Sequence, residues 1–235
     1  MQKSFGVVVG LDYATVAPYL LQFASMSLLA ISGKEELGLY NWIAYVTSVL
    51  SIQYPKRTKL YVSDSVNKKL SFLKKFESTV AYSMLAEDAV SYVKEIESSL
   101  KERYEALAAG KDDILEKEEL LLLIVDNRDA LDAICADSQA LSAYKNITGR
   151  YKNMGVSLLI CIENEAIQYS APEILKNIRD QKKIMYFGNL ADFKVFDLPL
   201  AMLRGFKKEV EAGDGYMINE SSCRKLKTAA VKELK

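Results

Sequence analysis

Hydrophobic residues along this chain fall into short blocks separated by polar stretches that carry Gly or Pro, and the blocks are of two kinds. The first kind is continuous. Phe5 to Leu11 (FGVVVGL) and Tyr19 to Phe23 are β-branched or aromatic and bounded by Gly and Pro, which predicts strands. Met26 to Ser32 is apolar almost throughout, as a parallel strand covered on both faces should be. Thr58 to Val62, Leu120 to Val125, Val156 to Ile162 and Ile184 to Phe187 read the same way. The second kind is periodic. Leu39, Ile43, Val46 and Leu50 share one helical face, and Trp42, Tyr45 and Val49 widen it until the helix over 39–52 must be buried. Pro55 stops it. From Glu87 to Ala109 the apolar residues Val93, Ile96, Leu100, Tyr104 and Leu107 recur at three and four, with Glu97, Lys101 and Glu105 placed to pair on the wet side. Gly110 is placed as its C-cap.

Strands alternating with helices at this spacing predict a mostly parallel sheet with helices on both faces. Gly215 to Ile218 followed by Cys223 to Ala229 predicts a hairpin at the edge of that sheet, and the polar run Lys111 to Glu119 a solvated loop. With 235 residues, half of them hydrophobic, the chain is long enough to close as one α/β domain over 1–235.

Composition removes several kinds of chemistry. There is no histidine, hence neither the commonest general base nor the commonest zinc ligand. Cys135, Cys161 and Cys223 are far apart and form no CxxC pair, so no metal site is expected and reduced thiols are. Lys and Arg total 31 and Asp and Glu total 31, a balance that argues against a nucleic-acid partner gripped over many phosphates. The start, Met1 to Phe5, has no secretory leader character. The longest apolar run, Pro18 to Ile31, is broken by Gln22 and Ser25 and is too short to span a bilayer, so a soluble chain is expected.

The loop after Met26–Ser32 carries the most chemistry. Gly33 and Gly38 flank four residues between a strand and a helix, the spacing of a phosphate-binding loop. Such a loop continues with Lys, which neutralises phosphate, and Ser or Thr, which holds Mg²⁺; here Leu39 and Tyr40 follow instead. Lys34 cannot substitute, because that register would need glycine at Leu28, and Glu35 and Glu36 place negative charge where a triphosphate would lie. Leu120 to Val125 ends in Asp126, the pattern of a Mg²⁺-organising strand, but Asn127 follows where a working motor has Glu. Loss of a general base alone costs about 10²–10⁴ in rate. On residue type alone, Asp126 serves equally well as the N-cap of a following helix.

Together these pieces resemble the FtsK/SpoIIIE ATPases over nearly the whole chain. Glu102-Arg103-Tyr104 is similar to the Glu-Met-x-Arg-Arg-Tyr signature, and Asp64 stands at the Asp of an Asp-Pro-Lys turn. Arg150 to Gly155 leads into a sensor strand whose glutamine is replaced in Cys161-Ile-Glu-Asn164, and Lys183 to Phe196 resembles the strand and segment beyond it. Gly213-Asp-Gly-Tyr216 resembles the Gly-Arg-Gly-Asp-Met turn. With Ser170 to Lys176, these residues are most similar to the last ATPase module of the EssC/EccC coupling proteins of type VII secretion.

The resemblance implies a RecA-like P-loop fold at the cytoplasmic face of a membrane-anchored bacterial motor, with the membrane reached only through the parent protein. It implies neighbouring ATPase modules and small helical secreted proteins as partners. The positions Gly33, Lys34, Gly38, Leu39, Tyr40, Asp126 and Asn127 together predict a degenerate nucleotide site with no catalytic residue and no resident cofactor. Weak ATP/Mg binding is the alternative that the Gly33–Gly38 turn leaves open. Lys225 and Lys227 are expected to pair with an acidic residue of a secreted substrate.

Overall fold

The computed structural model describes residues 5–111, 119–203 and 210–229. In chain order the strands are β1 (Gly6–Asp12), β2 (Pro18–Gln22), β3 (Leu28–Gly33), β4 (Thr58–Ser63), β5 (Thr79–Ser83), β6 (Leu120–Val125), β7 (Val156–Cys161), β8 (Ile184–Phe187), β9 (Asp214–Ile218) and β10 (Cys223–Lys227). The helices are α1 (Leu39–Gln53), α2 (Ala86–Ala108), α3 (Arg128–Ala136), α4 (Ser138–Thr148), α5 (Glu173–Gln181) and α6 (Leu200–Leu203). All ten strands join one sheet in the order β2-β1-β10-β9-β8-β3-β7-β6-β4-β5. From β8 to β5 every neighbouring pair is parallel; from β8 to β2 every pair is antiparallel.

The blocks that form β3, β6 and β7 became central strands because both faces are covered. In β6, Leu121, Leu123 and Val125 face a core built with α2, α3, α4 and α5, while Leu120, Leu122 and Ile124 face a second core built around α1. The antiparallel end of the sheet packs on α1. Phe5, Val7, Val9 and Leu21 join Trp42, Ile43 and Leu50 in that second core. The hydroxyl of Tyr45 donates to the Val8 carbonyl at 3.0 Å, and that of Tyr54 accepts from the Gly6 amide at 3.3 Å. Strand β10 pairs with β1 only at Leu11 and Asp12, so these two tyrosines satisfy backbone groups that no strand reaches. A helix packed on both the parallel strands and the N-terminal hairpin needs a wide apolar face, as the sequence has.

Two expectations are corrected, and a third lies outside the described residues. The C-terminal hairpin forms, but not at an edge, because the N-terminal hairpin β1–β2 docks on β10 and Arg224 pairs with Asp12 at 3.0 Å. The edges are β2 and β5. On α2 the Glu97–Lys101 and Lys101–Glu105 pairs do not close among the described residues; Glu97 accepts from Asn146 at 3.0 Å instead. The polar run ending at Glu119 lies outside the described residues over 112–118. Among the described residues no helix is long and apolar enough to cross a membrane.

Candidate functional site

The C-terminal ends of β3, β4, β6 and β7 converge on a cavity of 340 Å³, lined by Gly33, Leu39, Tyr40, Ser65, Asn67, Asp126, Asn127, Arg128, Cys161 and Glu163 among others. A cavity at the carboxyl ends of parallel strands is where an open α/β sheet places its ligand. Five of the seven residues singled out in the sequence line it. Lys34 and Gly38 do not.

The loop between β3 and α1 has its own hydrogen-bonding economy. Lys34 N–H donates to the Phe187 carbonyl at 2.7 Å, tying the loop to the end of β8. Residues Glu35–Leu37 form a single 3-10 turn in which Leu37 N–H donates to Lys34 O and Gly38 N–H to Glu35 O. In a phosphate cradle, successive amides instead converge on the anion. Leu37 O accepts from Gly213 N–H at 2.9 Å, so the β9 hairpin holds the loop from the other side. Glu35 is ion-paired with Lys69 at 2.7 Å.

Both glycines are explained by this arrangement. Gly33 has φ +122°, and a Cβ there would lie 2.0 Å from the Phe187 carbonyl oxygen. Gly38 has φ +109° and caps α1 without a side-chain hydrogen bond.

At the second residue of α1, Tyr40 reaches across the cavity and its hydroxyl donates to Asp126 Oδ2 at 3.0 Å. Asp126 also accepts from the Cys161 thiol. Burial pushes Asp126 up to about 6, and the nearby carboxylates of Asp64 and Glu35 add to this while Tyr40 and Cys161 oppose it. Burial, with Asp126 alongside, raises both the Tyr40 hydroxyl and the Cys161 thiol, so both remain protonated donors.

Asn127, not Asp126, caps the following helix: its Oδ1 accepts from Ala130 N–H at 3.3 Å. Its Nδ2 donates to the carbonyls of Asp64 and Met84, each at 3.2 Å. Asp64 is fully buried and accepts from the Ser65 and Leu70 amides and the Tyr82 hydroxyl, closing the turn after β4.

The other motif residues hold the frame. Arg103 donates to the carbonyls of Glu119 at 2.7 Å and Met154 at 3.0 Å, at the opposite ends of the strands from the cavity. Asn164 donates to Asp192 O and accepts from Lys194 N–H, ordering the segment after β8. Lys225 and Lys227, expected to pair with a substrate, are already paired within the chain. They pair with Asp214 at 2.8 and 3.0 Å, and Asp214 also accepts from the Tyr13 hydroxyl at 2.7 Å. Although burial raises the Asp214 carboxyl, Lys225, Tyr13, the Glu211 amide and Lys227 together hold it at about 2.

Sequence reasoning did not select Ser65, Asn67, Arg128, Cys161 or Glu163 as site residues. The signal that finds them is topological: each follows or ends a strand that neighbours β6 or β3, or follows β6 itself.

No protein-family model and no curated protein matches the sequence. Solved structures do. The cytoplasmic domain of EssC superposes with a TM-score of 0.70 at 19 % identity, covering 97 % of this chain and 43 % of that one. EssC ATPases 2 and 3 from Geobacillus thermodenitrificans give 0.72 at 18 %, covering 99 % and 42 %. This is the fold of the type VII secretion ATPase modules. Thermomonospora curvata EccC ATPases 2 and 3, solved in complex with a signal sequence peptide, give 0.68 at 18 %, covering 99 % and 42 %. The chain spans less than half the length of these EssC and EccC chains, so it matches one part of a multi-ATPase array.

Proposed function

We propose that this chain is an ATPase-like module of a type VII secretion motor that does not hydrolyse ATP and works through protein contacts. The observation that carries this is the Tyr40–Asp126 hydrogen bond. Tyr40 stands where the Mg²⁺-binding hydroxyl of a working loop belongs, and its longer side chain engages the very carboxylate that would organise the metal's water. The residues present do not suit Mg–triphosphate. Leu39 brings no charge to the phosphates, the amides of Lys34, Leu37 and Gly38 already donate within the protein, and Asn127 is engaged as a helix cap. Each of these groups has a separate task in phosphoryl transfer, so their replacement compounds.

Protein contact is what remains to keep such a module in a motor. The EccC structure with a bound signal sequence peptide supports secreted proteins as the partner class. Recognition of a helical segment would rest on apolar anchors three and four residues apart, and the ordering of a flexible peptide keeps isolated affinity modest, about micromolar. Titrating the labelled chain with C-terminal peptides of type VII substrates tests this. Saturable binding that is lost when an apolar anchor becomes Ala supports the reading; no binding of any cognate full-length substrate at hundreds of micromolar overturns it.

A second reading, weak regulatory ATP binding, has one observation in its favour: Gly38 leaves the N-terminus of α1 without a side-chain cap beside the cavity. Thermal melting separates the two. A ligand at a hundred times its Kd adds about 2.7 kcal/mol, so an unchanged Tm at millimolar Mg-ATP excludes this second reading.

A further inference from the structure

Between Lys3 and Lys34 the sequence holds a single charged residue, Asp12, in a chain of which 26 % is charged. Asp12 is itself buried and paired with Arg224 at 3.0 Å. This stretch includes the N-terminal hairpin β1–β2, whose two faces have different fates. Val7, Val9 and Leu21 pack into the core around α1. On the other face Val8 stands opposite Leu20, and Leu11 opposite Pro18, in the cross-strand register.

That outer face is apolar and open. Five of the twelve large hydrophobic side chains exposed among the described residues belong to this hairpin: Val8, Leu11, Tyr13, Val16 and Leu20. Val16, in the turn, is 75 % exposed and has φ +56°, a left-handed conformation that β-branched residues disfavour. Folding of the lone chain gains no burial from an apolar side chain held there. The charges that border the face on β10 are Lys225, over the Tyr13 ring, and Lys227, opposite Leu11; both are paired with Asp214.

We infer that a second copy of the chain docks on this face, hairpin against hairpin about a two-fold axis. Charge and area select that occupant. The outer side chains carry no charge, so laying the face on its own image meets no like-charge repulsion, whereas a charged partner surface would be desolvated without a counter-charge. The five side chains leave on the order of 500 Å² exposed, so two such faces bury about 1,000 Å², the lower end for a specific complex. Pro18 removes an amide donor from edge strand β2, which disfavours edge-to-edge strand pairing and leaves face-to-face packing. A two-fold contact closes on itself, so assembly stops at the dimer. Neither the cavity nor a secreted substrate enters the inference.

Sedimentation of the full chain in reductant, which keeps Cys135, Cys161 and Cys223 as thiols, tests this. Mass should rise from the 26.4 kDa monomer towards twice that value between about 5 and about 300 µM, with a Kd on the order of tens of micromolar. Because the contact is apolar, raising salt from about 50 to about 500 mM should leave the Kd within about twofold. Leu11→Lys/Leu20→Lys replaces two half-exposed side chains and should weaken the dimer about tenfold or more, with the circular dichroism spectrum unchanged. Val16→Asn relieves the left-handed strain, so it should raise the Tm of the dilute chain while weakening the dimer, a pairing that no loss of folding produces. Ile52→Lys, at an exposed position on α1, should leave the dimer intact. A chain that stays monomeric at about 300 µM overturns the inference. So does association that salt disperses, that grows past the dimer, or that survives both hairpin variants. A monomeric chain whose hairpin variants weaken binding of a different protein also overturns it. None of these outcomes bears on the substrate-peptide titration, so the two readings fail separately.

Discussion

Asp126 shows how one residue's chemistry changes when its neighbours do. Beside a metal it would be held ionised; here it faces a tyrosine, a thiol and two carboxylates, and its carboxyl lies at about 6. Because the folded value exceeds the ordinary 3.8, the folded chain holds a proton that the unfolded chain releases. Stability therefore falls as pH rises from about 4 to about 6. Asp126→Asn keeps an acceptor for Tyr40 and removes the buried charge. It should raise stability by about 2 kcal/mol at pH 7.5 and by almost nothing at pH 4, read by thermal melting at the two values.

Asp214 has the opposite sign. Its folded value of about 2 means that its contribution is complete above about 4 and is lost as pH falls through about 4 to about 2. Asp214→Asn strips two lysines of their partner and should cost about 3 kcal/mol at neutral pH, measured by urea unfolding. Leu39, Tyr40 and Asn127 stand out in the sequence as departures from the phosphate-loop and Mg²⁺-strand patterns. That Tyr40 bonds Asp126 is not legible there, since no local pattern states which side chain crosses a cavity 86 residues away in sequence.

Among elements, the loop of residues 33–38 is the instructive one. Its two glycines have the spacing of a phosphate loop, yet each is required by the fold itself. At Gly33 a methyl group would collide with the Phe187 carbonyl, whereas at Gly38 the nearest atom would be 3.7 Å away and only the backbone conformation is strained. Gly33→Ala should therefore cost several times as much stability as Gly38→Ala, for which about 1–2 kcal/mol is expected. Equal losses in urea unfolding would contradict this account of the loop.

The strongly apolar or periodic elements, β3, β6, β8, α1 and α2, were readable within a residue or two because burial on one or both faces writes itself into the sequence. Strand β5 was missed. It is a half-buried edge strand with Val80 exposed, so little hydrophobic pattern marks it. The split into α3 and α4 depends on Asp137, whose Oδ1 accepts from the amides of Gln139 and Ala140, a cap visible only once the helix around it is known.

For the whole molecule, alternation of strands and helices was enough to indicate a mostly parallel sheet covered on both faces. It did not give the strand order. The position of the C-terminal hairpin inside the sheet follows from contacts between chain ends, Asp12 with Arg224 and Tyr13 with Asp214, that lie more than two hundred residues apart. Balanced charge was likewise legible as a total. The fold shared with EssC and EccC ATPase modules puts the cavity at the carboxyl ends of the parallel strands, and the side chains at its mouth are what the proposal of a module working without hydrolysis rests on.

That claim is tested most directly by phosphate release from Mg-ATP by the isolated chain and by its Asp126→Ala variant. The account predicts release at buffer background for both. Release that saturates with ATP and disappears in Asp126→Ala would contradict it.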